Sequence, residues 1–358
     1  MKGRALIAGG GTGGHIFPGL AVVAELETMG VACHWLGARR GLEAELVGKR
    51  GIPITLVDLE GIHARGPAAA ARAAAQLPAA VVAAVSTLLR LRPKVVLGVG
   101  GYASSAGVLA AGALGIPWVL QEQNAIPGWT NRFLAPWADA VCCGFADAVA
   151  HFPSLAAEWT GNPVRREFFT TGPVPGNRPP RLVVLGGSQG SLFLNRTVPQ
   201  ALARLRELGM EVAVRHQAGV RWTEVVRTSY QDLDLEAEVS AFLSEPWQAL
   251  AEADLVVARA GALTIAELAA AGRGALLVPF AAAAGNHQEH NARSLERRGG
   301  AQVMSEIEAT PAAVARVLAG LLADPGRLAA MGQASRRAAL PDAAQRIARR
   351  LLATGGGP

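Results

Sequence analysis

The sequence predicts an α/β protein made of two Rossmann-like, doubly wound domains, each a parallel sheet between helices. Three observations carry this. Strand and helix patterns alternate down the chain. A strand that drops into a glycine turn and then a helix occurs once in each half: Arg4–Ala8 enters Gly9-Gly10-Gly11-Thr12-Gly13-Gly14-His15, and Arg181–Leu185 enters Gly186-Gly187-Ser188-Gln189-Gly190-Ser191. Between the halves, Gly172 to Pro180 holds so much Pro and Gly that it reads as an interdomain linker. Glycines at a helix start let bare backbone N–H groups close on an anion, and the helix dipole favours its charge. Two such loops predict twin nucleotide-fold domains around one phosphate-bearing ligand.

In the first half, strands are predicted at 4–8, 31–36, 53–57, 94–98, 117–121 and 139–142, with helices near 15–29, 41–49, 79–91, 104–114 and 128–136. Each strand is a short, nearly continuous apolar run, the mark of a strand buried on both faces. The uncharged stretch Val95 to Gln121 is punctuated by Gly98, Gly100, Gly101, Gly107, Gly112, Gly115 and Pro117. It therefore reads as strand–turn–helix–strand rather than a membrane span. The stripe Trp129, Phe133, Trp137 is expected in the core. After the linker, strands are predicted near 181–185, 211–215, 236–240, 254–258 and 275–279, and a last helix over about 342–352 places Ile347, Leu351 and Leu352 on one side. The expected division is 1–163, 164–340 and a C-terminal helix, 341–358, packing back on the first domain.

Composition narrows the function. The chain has 358 residues, 51% of them apolar and only 5% aromatic, with a formal net charge of +6. Aromatics interleaved with basic residues, as needed to stack bases, are missing, so nucleic acid is not expected as a partner. An anionic small ligand or lipid surface fits the charge better. Cys33, Cys142 and Cys143 are too few and too badly spaced for a disulfide framework or a zinc site, so a reducing cytoplasm is the simple reading. The apolar run behind Lys2 and Arg4 breaks at Gly9 and reads as a first strand, not a signal peptide.

Several residues stand where chemistry is expected. The first loop contains Gly9-x-Gly11-x-x-Gly14, but the second strand runs into Gly37-Ala38-Arg39-Arg40 and lacks the acid that would hold a ribose. Arg39 and Arg40 keep an NADP-dependent oxidoreductase open, through a 2′-phosphate. His15 falls in the first helical turn beside any bound anion, where the positive helix end favours a neutral imidazole able to take a proton; packing or capping is the plainer role. Gln121-Glu122-Gln123-Asn124 follows a buried strand, so these four polar side chains are expected at the sheet's carboxyl edge, gripping sugar hydroxyls, with Glu122 an alternative orienter of a base. Glu267, on an otherwise apolar helix after Arg259-Ala260-Gly261, suits a ribose diol. His287 and His290 have no further ligand at metal spacing, and Asp232-Leu233-Asp234 lies in an acidic stretch without a glycine loop, so no metal is expected.

As an ordered set, Gly10-Gly11-Thr12-Gly13-Gly14-His15-Ile16-Phe17-Pro18-Gly19, Gly100-Gly101-Tyr102, Glu122-Gln123-Asn124, Gly161-Asn162-Pro163-Val164-Arg165, Gly186-Gly187-Ser188-Gln189-Gly190, Gly261-Ala262-Leu263-Thr264 and Gln288-x-x-Asn291 closely resemble the MurG family over nearly the whole chain. The family usually has His where this chain has Gln121, and the segment 66–92, the expected membrane-facing stretch, lacks aromatics. The resemblance implies a GT-B fold: two Rossmann-like domains with a cleft between them. It implies an inverting transferase that moves N-acetylglucosamine from UDP-N-acetylglucosamine to the muramyl 4-hydroxyl of undecaprenyl-linked lipid I. The product is lipid II for peptidoglycan synthesis, and hence for cell-wall biogenesis, cell shape and division. It assigns Thr12, Gly13, Gly14, Asn124, Arg165, Ser188, Leu243, Ala262, Leu263, Thr264, Glu267 and Gln288 to substrate, with no cofactor. Since a sugar hydroxyl is barely acidic, a base must take its proton, and His15 is the first choice, with Glu122 assisting or substituting. The protein is then expected at the cytoplasmic face of an anionic membrane, held peripherally, with Arg65, Arg72, Arg90, Arg92 and Lys94 flanking the apolar segment. A nucleotide-sugar-binding module without catalysis is the other class of reading, and it has no need of a base at His15.

Overall fold

The computed structural model describes residues 3–39, 41–59, 67–153, 156–172 and 178–356, with backbone alone for 67–74 and Ala284. Arg40, Arg65 and the middle of the expected linker, 173–177, lie outside the described residues. The chain divides into two compact units: Met1–Val164 with Asp342–Pro358, and Arg165–Pro341.

In the first unit β1 (Arg4–Ala8), β2 (Ala32–Ala38), β3 (Ile54–Val57), β4 (Val95–Gly98), β5 (Trp118–Glu122), β6 (Ala140–Cys143) and β7 (Ala157–Trp159) form one parallel sheet in the order β3-β2-β1-β4-β5-β6-β7. Between them run α1 (Gly13–Thr28), α2 (Glu43–Gly48), α3 (Pro67–Leu91), α4 (Tyr102–Ala113), α5 (Trp129–Leu134) and α6 (Ala146–Val149). The period of two along each strand sorts the core into two layers. Ile7, Leu97 and Val119 meet Ile16 and Leu20 of α1, Val47 of α2, and Ile347 and Leu351 of the C-terminal helix, Ala343–Thr354. Leu6, Val96 and Leu120 meet Ala84 and Leu88 of α3, Val108 of α4 and Leu134 of α5.

Two expectations change here. The helix expected over 79–91 begins at Pro67 and runs through Pro78. Proline removes one backbone hydrogen bond, and its ring crowds the preceding turn. The Ala-rich sequence around it favours helix, and buried Ala80, Ala84 and Leu88 hold the following turns on the sheet. The aromatic stripe of α5 and the helical turn after it is not core: Trp129, Phe133 and Trp137 are 77%, 53% and 64% exposed. Trp129 instead stacks on Phe133 with ring centroids 5.4 Å apart, and Phe133 meets Trp137 edge-on at 5.5 Å, while Asn131 and Leu134 take the buried side.

In the second unit β8 (Arg181–Leu185), β9 (Ala213–Gln217), β10 (Glu238–Ser240), β11 (Leu255–Ala258), β12 (Ala275–Leu277) and β13 (Ala301–Val303) form a parallel sheet in the order β10-β9-β8-β11-β12-β13. The helices are α7 (Leu192–Glu207), α8 (Thr223–Asp232), α9 (Pro246–Glu252), α10 (Ala262–Ala271), α11 (His287–Glu296), α12 (Pro311–Leu322) and α13 (Pro325–Ala338). Three-residue edge strands β7 and β13 are absent from the sequence reading. In both sheets the strand order reverses beside the first strand, between β1 and β4 and between β8 and β11. At such a switch point neighbouring loops diverge and leave a crevice at the carboxyl edge, where α/β proteins bind ligands. Both glycine loops stand there.

Candidate active site

In the first unit β1 and β4 end together, Ala8 opposite Gly98. Gly9 N–H donates to Leu36 O at 3.0 Å, and Gly10 N–H donates to Gly100 O at 3.3 Å, so the loop is fastened on both sides. A side-chain carbon at Gly101 would fall 2.2 Å from Gly10 O, so only glycine permits this approach. Thr12 O accepts the N–H groups of His15 and Ile16 at 3.1 and 3.2 Å and starts α1. His15 is half-buried in that first turn with its ring against Gly100, where an added carbon would lie 2.7 Å from His15 Nδ1. The structure thus brings Thr12, Gly13, Gly14 and His15 to the switch point.

Sequence reasoning missed the acid of this loop. Residues 37–39 supply none, but Glu43, in the first turn of α2, is 0% exposed, and its Oε1 accepts N–H from Gly11 at 2.8 Å and Ala38 at 3.1 Å. Its signal was the pair of glycines around it, Gly37 and Gly41. Arg39, offered above to a 2′-phosphate, pairs with Asp58 at 2.7 Å on the surface.

The expectation that four polar side chains at 121–124 grip sugar hydroxyls needs correction. β5 and the residue after it carry Gln121, Glu122 and Gln123 into the interior, all three buried, and Asn124 alone is half-buried at the edge. Gln121 Nε2 donates to Asn162 Oδ1 at 3.1 Å, Gln123 Nε2 to Val99 O at 2.7 Å and to Gln121 Oε1, and Asn162 Nδ2 to Gln123 O at 2.8 Å. Gln121 thus serves as a junction of this amide network. Glu122, 1% exposed, accepts from Asn124 N at 2.9 Å, Asn124 Nδ2 at 3.2 Å, Gly128 N at 3.0 Å and Asn131 Nδ2 at 2.9 Å. Burial raises its pKa and these four bonds oppose the rise. The carboxylate organises the loop that presents Asn124.

In the second unit Ser188 stands exposed at the tip of the glycine loop after β8, and Ser191 caps α7, its Oγ accepting Leu194 N–H at 3.3 Å. Arg259, at the end of β11, holds that loop: Nε donates to Ser191 Oγ at 2.8 Å, and Nη1 to Val278 O and Pro279 O at 3.0 and 3.2 Å. Its other nitrogen pairs with Glu306, and Phe193 and Phe280 cover the guanidinium. Ala262, Leu263 and Thr264 form the first turn of α10, and Glu267 follows on the next. Glu267, 17% exposed, lies 4.0 Å from Arg165 Nη2. Burial lifts its carboxyl to about 7 against the pull of Arg165. Arg165 itself lies over Trp247 at 4.5 Å and Phe168 at 5.3 Å, a cradle that sequence reasoning did not find. Gln288 Oε1 accepts from Ala260 N at 3.2 Å and Phe280 N at 3.0 Å, and Asn291, one turn on, donates to Ala260 O at 3.2 Å. The amide oxygen of Gln288 is thereby committed to the loops, and its nitrogen is the end left to donate. Leu243 is half-buried after β10, on the same edge. Asp234, weighed above as half of an acidic pair, meets Arg206 at 3.4 Å on the surface. Among the described residues no three His, Cys, Asp or Glu side chains converge as metal ligands.

Comparison with known proteins agrees with this arrangement. The Glycosyltransferase family 28 N-terminal domain matches residues 5–143, and the Glycosyltransferase family 28 C-terminal domain matches residues 181–347. The UDP-N-acetylglucosamine--N-acetylmuramyl-(pentapeptide) pyrophosphoryl-undecaprenol N-acetylglucosamine transferase of Stutzerimonas stutzeri is 43% identical over 350 residues, 97% of each chain. The enzyme of the same name from Aeromonas hydrophila is 43% identical over 361 residues, 99% of this chain and 98% of the other. The crystal structure of Acinetobacter baumannii MurG superposes with a TM-score of 0.79 at 31% identity, covering 98% of this chain and 99% of that one. These matches give no support to the oxidoreductase reading. With glycine loops at both switch points, Arg165 paired with Glu267 of α10 and this likeness along its whole length, the chain belongs to the MurG family of glycosyltransferases, with the GT-B fold.

Proposed function

We propose that this enzyme transfers N-acetylglucosamine from UDP-N-acetylglucosamine to the muramyl 4-hydroxyl of lipid I, giving lipid II. The observation that carries the donor half is Glu267, a shielded carboxylate beside Arg165 at the carboxyl edge of the second sheet. A carboxylate accepts both hydroxyls of a ribose diol. Ser188 and the N–H groups of its loop face the diphosphate, Leu243 lies by the uracil, and the first turn of α10 with Gln288 and Asn124 meets the sugar.

The acceptor oxygen attacks the anomeric carbon as the bond to the β-phosphate oxygen breaks, inverting the centre. The leaving UDP gathers negative charge, which the N-terminus of α10 and the guanidinium of Arg165 stabilise. A sugar hydroxyl is barely acidic, so its proton must leave during attack. His15 takes it, and Glu122, committed by four hydrogen bonds, holds the Asn124 loop instead of acting as the base.

The lipid-linked acceptor favours peripheral attachment at the cytoplasmic face of an anionic membrane. No helix among the described residues is long and apolar enough to cross one. The ladder Trp129, Phe133, Trp137 starts beside the Glu122 loop and adjoins an apolar hollow of about 520 Å³ lined by Leu109, Ile116, Pro117, Trp118, Leu134 and Trp137. Val82 and Leu89 of α3 are also exposed, near exposed Arg90, Arg92 and Lys94. Aromatics with basic neighbours are suited to a lipid headgroup layer.

Release of UDP from UDP-N-acetylglucosamine, with formation of the disaccharide on a lipid I analogue, tests the reading. Binding without turnover would leave a nucleotide-sugar-binding module, and UDP release by hydrolysis alone would overturn lipid I as the acceptor.

A further inference from the structure

A carboxylate lies sealed beneath the first glycine loop. Glu43 Oε1 accepts N–H from Gly11 at 2.8 Å and from Ala38 at 3.1 Å, while Oε2 is buried and meets no donor among the described residues. Three segments make room for it. A side-chain carbon at Gly10, Gly37 or Gly41 would fall 1.5, 2.9 or 1.6 Å from an atom of Glu43. One buried side chain therefore accounts for three glycines around the end of β2.

Its charge is wrong for holding a phosphate, and it turns the N–H of Gly11 inward, away from any ligand. What it does reach is the geometry of the loop. Gly11, at φ 97°, directly precedes Thr12, whose carbonyl starts α1 and holds His15 N–H at 3.1 Å. From the other side Gly100 O holds Gly10 N–H at 3.3 Å, and Gly100 backs the imidazole. The loop is gripped by a side chain from α2 and by backbone from the loop after β4. An apolar residue at 43 would fill the space but take the acceptor from the buried N–H of Ala38 and the part-buried N–H of Gly11.

We infer that Glu43 is a positioning residue for catalysis: its carboxylate fixes the loop at Gly10 and Gly11 and so sets the place of the His15 imidazole. This rests on His15 as the base. A general base works only within hydrogen-bond reach of the proton it takes, so a small displacement of α1 is expressed in turnover rather than in donor affinity.

The test compares full-length wild type with Glu43→Ala, Glu43→Gln, Glu43→Asp, His15→Ala and the Glu43→Ala/His15→Ala pair. The readouts are kcat, both KM values, UDP affinity by calorimetry and urea unfolding. Glu43→Ala should lower kcat by about 10- to 100-fold with UDP affinity within about twofold. Glu43→Gln, whose amide oxygen can accept both N–H groups, should keep kcat within about threefold, and Glu43→Asp, one methylene short, should fall below it. Adding Glu43→Ala to His15→Ala should cost little more, because the first acts through the second. A Glu43→Ala enzyme within about threefold of wild-type kcat, a loss confined to donor KM, or only a lower urea midpoint would overturn the proposal. If Glu43→Ala is insoluble, equal kcat for Glu43→Gln and Glu43→Asp overturns it. If His15→Ala alone keeps full turnover, the base assignment fails instead, whatever Glu43 does.

Discussion

At Glu267 two forces act on one proton. Burial raises the carboxyl to about 7, while Arg165, 4.0 Å away, favours the charged form. If the ribose diol binds the carboxylate, UDP binding must expel that proton below about pH 7. Affinity should then fall by up to about tenfold per pH unit on the acid side, and Glu267→Gln should lose the dependence. Glu267→Ala should weaken UDP binding by about 1.5–3 kcal/mol, the loss of charge-assisted hydrogen bonds. Calorimetry across this pH range checks both; unchanged UDP affinity with the fold intact removes Glu267 from the site. If His15 is the base it makes a different demand, because a base acts in the transition state. His15→Ala should lower kcat by about 10²–10⁴ with donor affinity little changed. Weaker UDP-sugar binding with saturated turnover preserved would make His15 a lining residue.

The elements place these groups, and two of them show how periodicity divides from environment. Over α5 and the turn that follows it, the spacing of Trp129, Phe133 and Trp137 marks one side of a helix, but not whether protein or solvent meets it. The sheet takes Leu134 and Asn131, and the aromatics face outward. If that face enters lipid, replacing Phe133 and Trp137 with Ala should weaken vesicle binding by about 1–3 kcal/mol in all. Exposed Arg90, Arg92 and Lys94 should add about 1 kcal/mol each on anionic lipid, and that share should vanish in high salt. Flotation with anionic and neutral vesicles separates the two shares. Equal binding by wild type and the double variant would remove the aromatics from the membrane surface. At the end of β5 the reverse holds: of a polar run expected at the sheet's carboxyl edge, Gln121, Glu122 and Gln123 are drawn inward, because Asn131, Asn162 and the backbone supply their partners.

At the scale of the whole molecule, His216 links the second unit to acid. It is fully buried, with Nδ1 on Tyr230 OH at 2.9 Å and Nε2 on Asn195 Oδ1 at 3.0 Å, and burial depresses it to about 3. Between that value and the ordinary one of 6.5 the unfolded chain binds a proton that the folded chain refuses. Stability therefore falls with pH by up to about 1.4 kcal/mol per unit across this window. Glu267, raised to about 7, acts in the opposite sense down to its ordinary 4.5, so the steep loss belongs below that. Urea unfolding along an acid series should show it, and His216→Gln should flatten it; an unchanged slope would exclude His216 as the cause. The strand bounds Arg4–Ala8 and Arg181–Leu185, both glycine loops and the helix holding Glu267 were legible in the sequence, because short apolar runs, glycine turns and helical spacing are set by neighbours along the chain. Edge strands β7 and β13 were not, since three residues become a strand only when a partner is alongside. Nor was the seating of the site. Glu43 meets Gly11 across 32 residues and Arg259 meets Ser191 across 68, and in both cases the parallel crossovers bring the partners together. The sequence by itself determined the alternation, the two phosphate-type loops and the family. Tertiary structure decided which polar groups are buried, which aromatics face out and what holds each loop, because a side chain's solvent and partners are chosen by strand order, not by its neighbours in the chain.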